Sequence, residues 1–165
     1  MSVTGAAGTV SGPTLAEARR AAREQGDFSP MRARVPYARF LDVQVSLDHG
    51  TPKFRMPFRP SLVGNAALPA IHGGVVAGFI ENAGLLHLLL LLDEAKVPKA
   101  IDFSIDYLRS AQAQDTYAAC EVVRQGRRVA LVQVRAWQDE IGHPGKTREI
   151  ALARAHYLLG DASTP

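Results

Sequence analysis

Apolar and polar positions alternate along most of the chain and divide it into strands around one long apolar run. Leu41, Val43, Val45 and Leu47 alternate with Asp42, Gln44 and Ser46, the period of a half-buried strand that starts near Phe40. Asp48-His49-Gly50 reads as a turn, and Lys53–Phe58 returns as a second strand, broken by Pro57 and Pro60. A loop is expected over Ser61–Ile71. The apolar run then predicts one long helix from Gly73 to about Ala95, stopped ahead of Pro98.

Beyond it the pattern returns to period two. Ile101, Phe103, Ile105 and Tyr107 face one way from the segment Ala100–Leu108, and Asp102, Ser104 and Asp106 face the other. Thr116–Arg124 and Arg128–Gln138 flank a hairpin signal, Gln125-Gly126-Arg127, and Asp139–Lys146 leads into a last strand, Thr147–Leu158. Near the N-terminus, Thr14 and Glu17 have capping-box spacing ahead of a short helix over Leu15–Gln25, with Gly26 to end it. Pro30 and Pro36 mark an irregular connection.

A helix apolar nearly all round must be wrapped. Two strands before it and four after exclude the regular strand–helix alternation of a doubly wound parallel fold. The expected fold is therefore α+β: a long central helix wrapped by an antiparallel sheet of about six strands, with an extra N-terminal helix. The expected organisation is a tail and short helix over residues 1–35 and a main domain over residues 36–160.

Composition narrows the classes. The chain has 165 residues, 47% of them hydrophobic, enough to bury a core without disulfides. A net charge of +3, scattered along the chain, gives no nucleic-acid tail. The single cysteine, Cys120, excludes an internal disulfide and a multi-cysteine zinc site, and implies a reducing, cytoplasmic compartment. The first residues lack a basic start and a continuous apolar core, so no signal peptide is expected. Ile71–Leu92 resembles a membrane span in length, but it carries His72, Glu81, Asn82 and His87.

Candidate chemistry gathers at the helix start. Gly73 and Gly74 follow His72 and open the helix, where two glycines cost helix stability and suggest a close backbone approach. Free N–H groups there suit a carbonyl oxygen that becomes an oxyanion; packing or a turn would equally explain the glycines. Glu81 lies among Phe79, Ile80, Ala83, Leu85 and Leu86. Buried, it would be a base or nucleophile of raised pKa; at the helix edge it would face water or pair with an arginine. His72 either orients the loop or meets a substrate carbonyl. The basic turn around Arg127 and Arg128 fits a phosphate or a solvated hairpin tip. His49, His87, His143 and His156 lack metal-ligand spacing, and no G-x-S-x-G elbow or P-loop is present.

The His72-Gly73-Gly74 run opening an apolar helix, with an acid nine residues after the histidine, resembles the hotdog-fold acyl-CoA thioesterases of the phenylacetate-pathway (PaaI-like) type. The stretch Asp102–Ala111 and the turn Gln125–Arg128 are similar to that family too, and the resemblance spans roughly Phe40 to Leu158. It implies a hotdog fold, a homodimer with a continuous sheet, often a dimer of dimers (a homotetramer), and hydrolysis of coenzyme A thioesters. It implies that the Gly73 N–H polarises the thioester carbonyl, that Glu81 activates water or attacks directly, and that His72 and Asn65 position the loop or the carbonyl. Gly74, Leu85, Arg127 and Arg128 are the expected substrate and coenzyme A contacts.

Three positions depart from the family pattern: Asn65 lies seven residues before the histidine rather than six, the acid is Glu, and Ala100 stands where some relatives carry Ser or Thr. No cofactor is expected, coenzyme A being part of the substrate, and neither a nucleic acid nor a membrane is expected as a partner. Two alternatives share the pocket: a non-catalytic acyl-CoA or acyl-carrier binding module, and a hotdog hydratase or dehydratase.

Overall fold

The computed structural model describes residues 12–65, 67–92 and 96–161. Most of the expected N-terminal tail and the expected helix end at Ala95 lie outside them. The strands are β1 (Gln44–Asp48), β2 (Thr51–Met56), β3 (Val63–Asn65), β4 (Ala70–Ile71), β5 (Lys96–Tyr107), β6 (Thr116–Gln125), β7 (Val129–Asp139) and β8 (Thr147–Asp161). Six of them form one sheet in the order β1-β2-β6-β7-β8-β5, antiparallel throughout, and β3 pairs with β4 alone. The long helix, α4 (Gly73–Leu91), lies in the curve of the sheet. This is the expected α+β hotdog architecture.

Side-chain size explains how helix and sheet fit. The inward positions of β6, β7 and β8 are mostly small: Ala118, Ala130, Ala136, Ala151, Ala153 and Ala155 are all buried. The helix supplies the bulk with Phe79, Ile80, Leu86, Leu88 and Leu89. Small residues on the concave face let a leucine-rich helix sink close to the sheet, the interlocking that dense packing requires. Although α4 is long and apolar enough to span a bilayer, most of it is buried against the sheet.

Gly84 is part of this fit. A Cβ there would stand 2.5 Å from the Tyr157 hydroxyl, so the missing side chain makes room for a buried tyrosine whose hydroxyl donates to the Glu81 carbonyl at 3.0 Å. Burial pushes the Tyr157 hydroxyl pKa up, so it stays protonated and donating. Cys120 is likewise buried in the core with its thiol pKa raised.

The N-terminal segment belongs to the same core. Helix α1 (Leu15–Arg20) starts at the expected Thr14–Glu17 capping box, and a π-helical turn, Ala21–Gln25, carries it to Gly26 at φ +67°. Its arginines close the far end of α4. Arg19 Nε donates to the Leu89 carbonyl at 2.7 Å, and Arg23 donates to those of Leu90 and Leu92. These are the carbonyls that a helix C-terminus leaves unpaired, and a cation there also opposes the helix dipole.

Three local expectations need correction. The connection around Pro30 and Pro36 holds two single-turn helices, α2 (Ser29–Ala33) and α3 (Pro36–Phe40), each with proline in its first turn, where its missing N–H costs nothing. Consequently β1 starts at Gln44 rather than near Phe40: Leu41 caps α3, and Asp42 turns the chain at φ +54°. The expected loop Ser61–Ile71 contains β3 and β4, which the His72 N–H to Leu62 carbonyl bond extends.

His87 sits on the buried side of α4, edge-on to Phe54, and its Nδ1 has no hydrogen-bond partner among the described residues. Burial pushes its pKa below the ordinary 6.5. The unfolded chain therefore takes up a proton that the folded site refuses, so stability is level above about pH 6.5 and falls as pH drops below it. Urea denaturation at pH 7 and pH 5 should show a smaller loss for His87→Leu than for wild type. Equal losses would show that His87 does not carry this dependence.

Candidate active site

The start of α4 is built by close contacts around His72. A Cβ on Gly64 would fall 2.6 Å from the His72 Cβ, so only glycine lets β3 pass this close to the histidine. Held there, His72 caps the helix: its Nδ1 accepts from the Gly74 N–H at 3.0 Å. Asn65 Oδ1 accepts from the Ala67 N–H, bracing the loop that leads to β4. His72 and Asn65 thus shape the loop and cap.

With the Gly74 N–H taken, the Gly73 N–H is the helix-start donor without an acceptor among the described residues. The orientation of the peptide after it is fixed from β5, where the Tyr107 hydroxyl donates to the Gly73 carbonyl at 2.9 Å. Alternation placed Tyr107 among Ile101, Phe103 and Ile105 but could not assign it this bond. Gly73, Val76, Tyr107, Leu108 and Arg109 line a cleft of about 470 Å³. A polar cleft of about 860 Å³ shares Arg109 with it and adds Arg148, a pair of cations that sequence reasoning missed.

Glu81 lies elsewhere. Its side chain is exposed, so of the two expectations the helix-edge one holds within a single chain. Eight residues at 1.5 Å rise separate it from Gly73 by about 12 Å along the helix axis. Positions Gly74, Gly78, Glu81 and Leu85 share one stripe of α4, the face the sheet leaves open. Leu85 on that stripe is half-buried, whereas Phe79 and Leu86 are core.

Sheet register locates the remaining residues. Tyr107 pairs with Ala151, which pairs with Ala136, so Gly73 sits beside that end of the sheet. Tyr157, which holds the Glu81 carbonyl, pairs with Ala100 and Ala130, next to the hairpin that carries Arg127 and Arg128. The two ends are seven residues apart along β5, roughly 23 Å. The expected site residues thus form two groups in one chain. Asn65, His72, Gly73 and Gly74 gather at one end; Glu81, Leu85, Arg127 and Arg128 lie toward the other.

Comparison with known proteins adds the chemistry. Residues 68–144, from ahead of α4 into the turn before β8, match the model of the thioesterase superfamily. The medium/long-chain acyl-CoA thioesterase YigI of Escherichia coli is 30% identical over 115 residues, 62% of this chain and 70% of its own. A crystal structure from Chromobacterium violaceum is 32% identical, covering 89% of this chain and 99% of that one with a TM-score of 0.67. A Bacillus halodurans protein solved with CoA shares the fold at 15% identity, covering 88% of this chain and 90% of that one with a TM-score of 0.62. With its wrapped helix and its open N–H at the helix start, the chain belongs to the thioesterase superfamily and is a hotdog-fold acyl-CoA thioester hydrolase.

Proposed function

We propose that the active unit is a homodimer with two shared sites, each joining Gly73 of one chain to Glu81 of its partner, and that it hydrolyses medium- to long-chain acyl-CoA esters in the cytoplasm. The observation that carries the proposal is the axial separation of Gly73 and Glu81. Reacting atoms must approach to about 3–3.5 Å, and a gap of about 12 Å along one helix is closed more readily by drawing the two groups from different chains. A two-fold axis solves this by setting two helices antiparallel across their open stripes. The free edge of β5 supports the arrangement. It carries unpaired backbone groups, and Ile101 and Tyr107 on it are exposed, a combination that favours pairing with a second strand. A dimer of dimers is compatible with this unit.

In the proposed site the thioester oxygen accepts from the Gly73 N–H, whose peptide Tyr107 holds in place. The Glu81 carboxylate of the partner takes a proton from water as the water oxygen bonds to the carbonyl carbon. Negative charge collects on the carbonyl oxygen, where a fixed donor is worth most. As the carbonyl re-forms, the carbon–sulfur bond breaks, and coenzyme A leaves as a thiolate that takes the proton from Glu81. Water and protein groups suffice, so the reaction as proposed calls on no cofactor. The substrate class follows the printed activity of the E. coli relative, and the compartment follows from the substrate and the single buried cysteine.

Glu81→Gln keeps the shape and removes the base. Thiol release from acyl-CoA esters should fall by about 10²–10⁴-fold. Because the side chain is exposed in one chain, unfolding free energy should change by no more than about 0.5 kcal/mol. Wild-type turnover in this variant would remove Glu81 from the mechanism. Crotonyl-CoA hydration without thiol release would instead favour the hydratase alternative, and binding without either reaction the sensor.

The same two-fold arrangement brings the Arg127–Arg128 turn toward the site that its chain's Glu81 serves, at the partner's helix start. Replacing both with alanine should raise KM for coenzyme A esters about tenfold relative to KM for N-acetylcysteamine thioesters, which lack the phosphates. Equal changes for both substrates would return the turn to solvent and leave Arg109 and Arg148 as the phosphate-binding cations.

A further inference from the structure

Gly78 lies inside α4, three residues and about 4.5 Å along the axis before Glu81, on the same open face. Glycine is the poorest helix former after proline, so its place in a helix interior calls for a contact that needs it. That contact is Tyr37 of α3. A Cβ on Gly78 would stand 2.9 Å from the Tyr37 Cε1 and 3.0 Å from its hydroxyl, closer than real side chains approach.

Core packing does not account for this. Gly84 makes room for Tyr157, which is 1% exposed, but Tyr37 remains 47% exposed while seated on the helix. Phe40, 62% exposed, stacks on it with ring centroids 5.8 Å apart. Arg59 fixes the pair from behind: its guanidinium lies 5.3 Å from the Phe40 ring centre, and it donates to the Phe40 carbonyl. Two stacked rings are therefore seated on the helix and left open to solvent, one helical turn from the candidate base.

We propose that Tyr37 and Phe40 form the wall along which the substrate's apolar acyl chain lies, so that the N-terminal segment sets chain-length preference. This rests on the shared-site reading above, with Tyr37 on the chain that supplies Glu81. The ring faces supply non-polar area beside the reacting carbon, Leu85 continues that surface one turn beyond Glu81, and Gly78 supplies the clearance. Rigid rings lose little conformational freedom when a chain packs on them. Arg59 acts through Phe40 as a positioning residue.

The test is calorimetric binding of ethyl- and decyl-CoA thioethers to the full-length protein. These ligands cannot be hydrolysed, so the readout is independent of turnover. Affinity of the wild type should rise with chain length, by up to about fourfold per buried methylene. In Tyr37→Ala the decyl-to-ethyl affinity ratio should fall about tenfold or more, whereas Tyr37→Phe should keep it. Gly78→Ala should lower the ratio as Tyr37→Ala does, because the added methyl displaces the ring. Added to Tyr37→Ala, it should change nothing further.

A wild-type ratio in Tyr37→Ala overturns the proposal, as does a wild type that gains nothing with chain length. A loss in Tyr37→Phe as large as in Tyr37→Ala also overturns it, since the hydroxyl would then be the contact. Absence of thiol release from any acyl-CoA, with the predicted ratios intact, would strike the hydrolysis reading and leave the wall standing.

Discussion

The structure depends on burying a helix that is apolar on nearly every side. Leucines on α4 meet alanines on the concave face of the sheet, and the match of large to small lets one helix fill the curve. The sheet itself leaves one stripe of the helix open, along Gly74, Gly78, Glu81 and Leu85. That stripe is where a carboxylate can stand on an otherwise non-polar helix without the cost of desolvation. Packing thus decides where chemistry can sit before any catalytic group is considered.

The same constraint divides the candidate site. The helix sets its N-terminal donor and its mid-helix carboxylate about 12 Å apart along its axis. The proposed dimer turns the separation into a shared site, and the glycines of the helix gain distinct physical reasons. Gly73 offers an N–H, Gly78 admits a tyrosine from the N-terminal segment, and Gly84 admits one from β8. Gly78 and Gly84 give up helix propensity for a contact that a side chain would block.

Much of this architecture is legible in the residues because the sheet alternates cleanly. Ile101 to Tyr107 and the flanks of Gly126 show their strands directly, and the Thr14–Glu17 box marks a helix start. What escaped was set by contacts distant in sequence. The exposure of Glu81 depends on where the sheet ends around the helix, not on its apolar neighbours in the chain. Local propensity likewise hid the short helix after Pro36, where alternation of Leu41 with Val43 mimicked a strand across the turn at Asp42. Gly64 and Tyr107 carry no sequence signal of their roles, since one is needed for clearance at His72 and the other for a single hydrogen bond to Gly73.

Sharing of the site between chains is the central claim, and complementation measures it most directly. Gly73 is the first residue of α4, and His72 before it has ψ 134°, so Gly73→Pro deletes the donor N–H at a position where proline is accepted. Glu81→Ala deletes the base. Each variant alone should be inactive as a homodimer. In a mixed dimer one site carries both lesions and the other carries neither, so purified mixed dimers should recover about half of wild-type thiol release, the symmetry giving two equivalent sites. Mixed dimers that form and stay inactive would contradict the account.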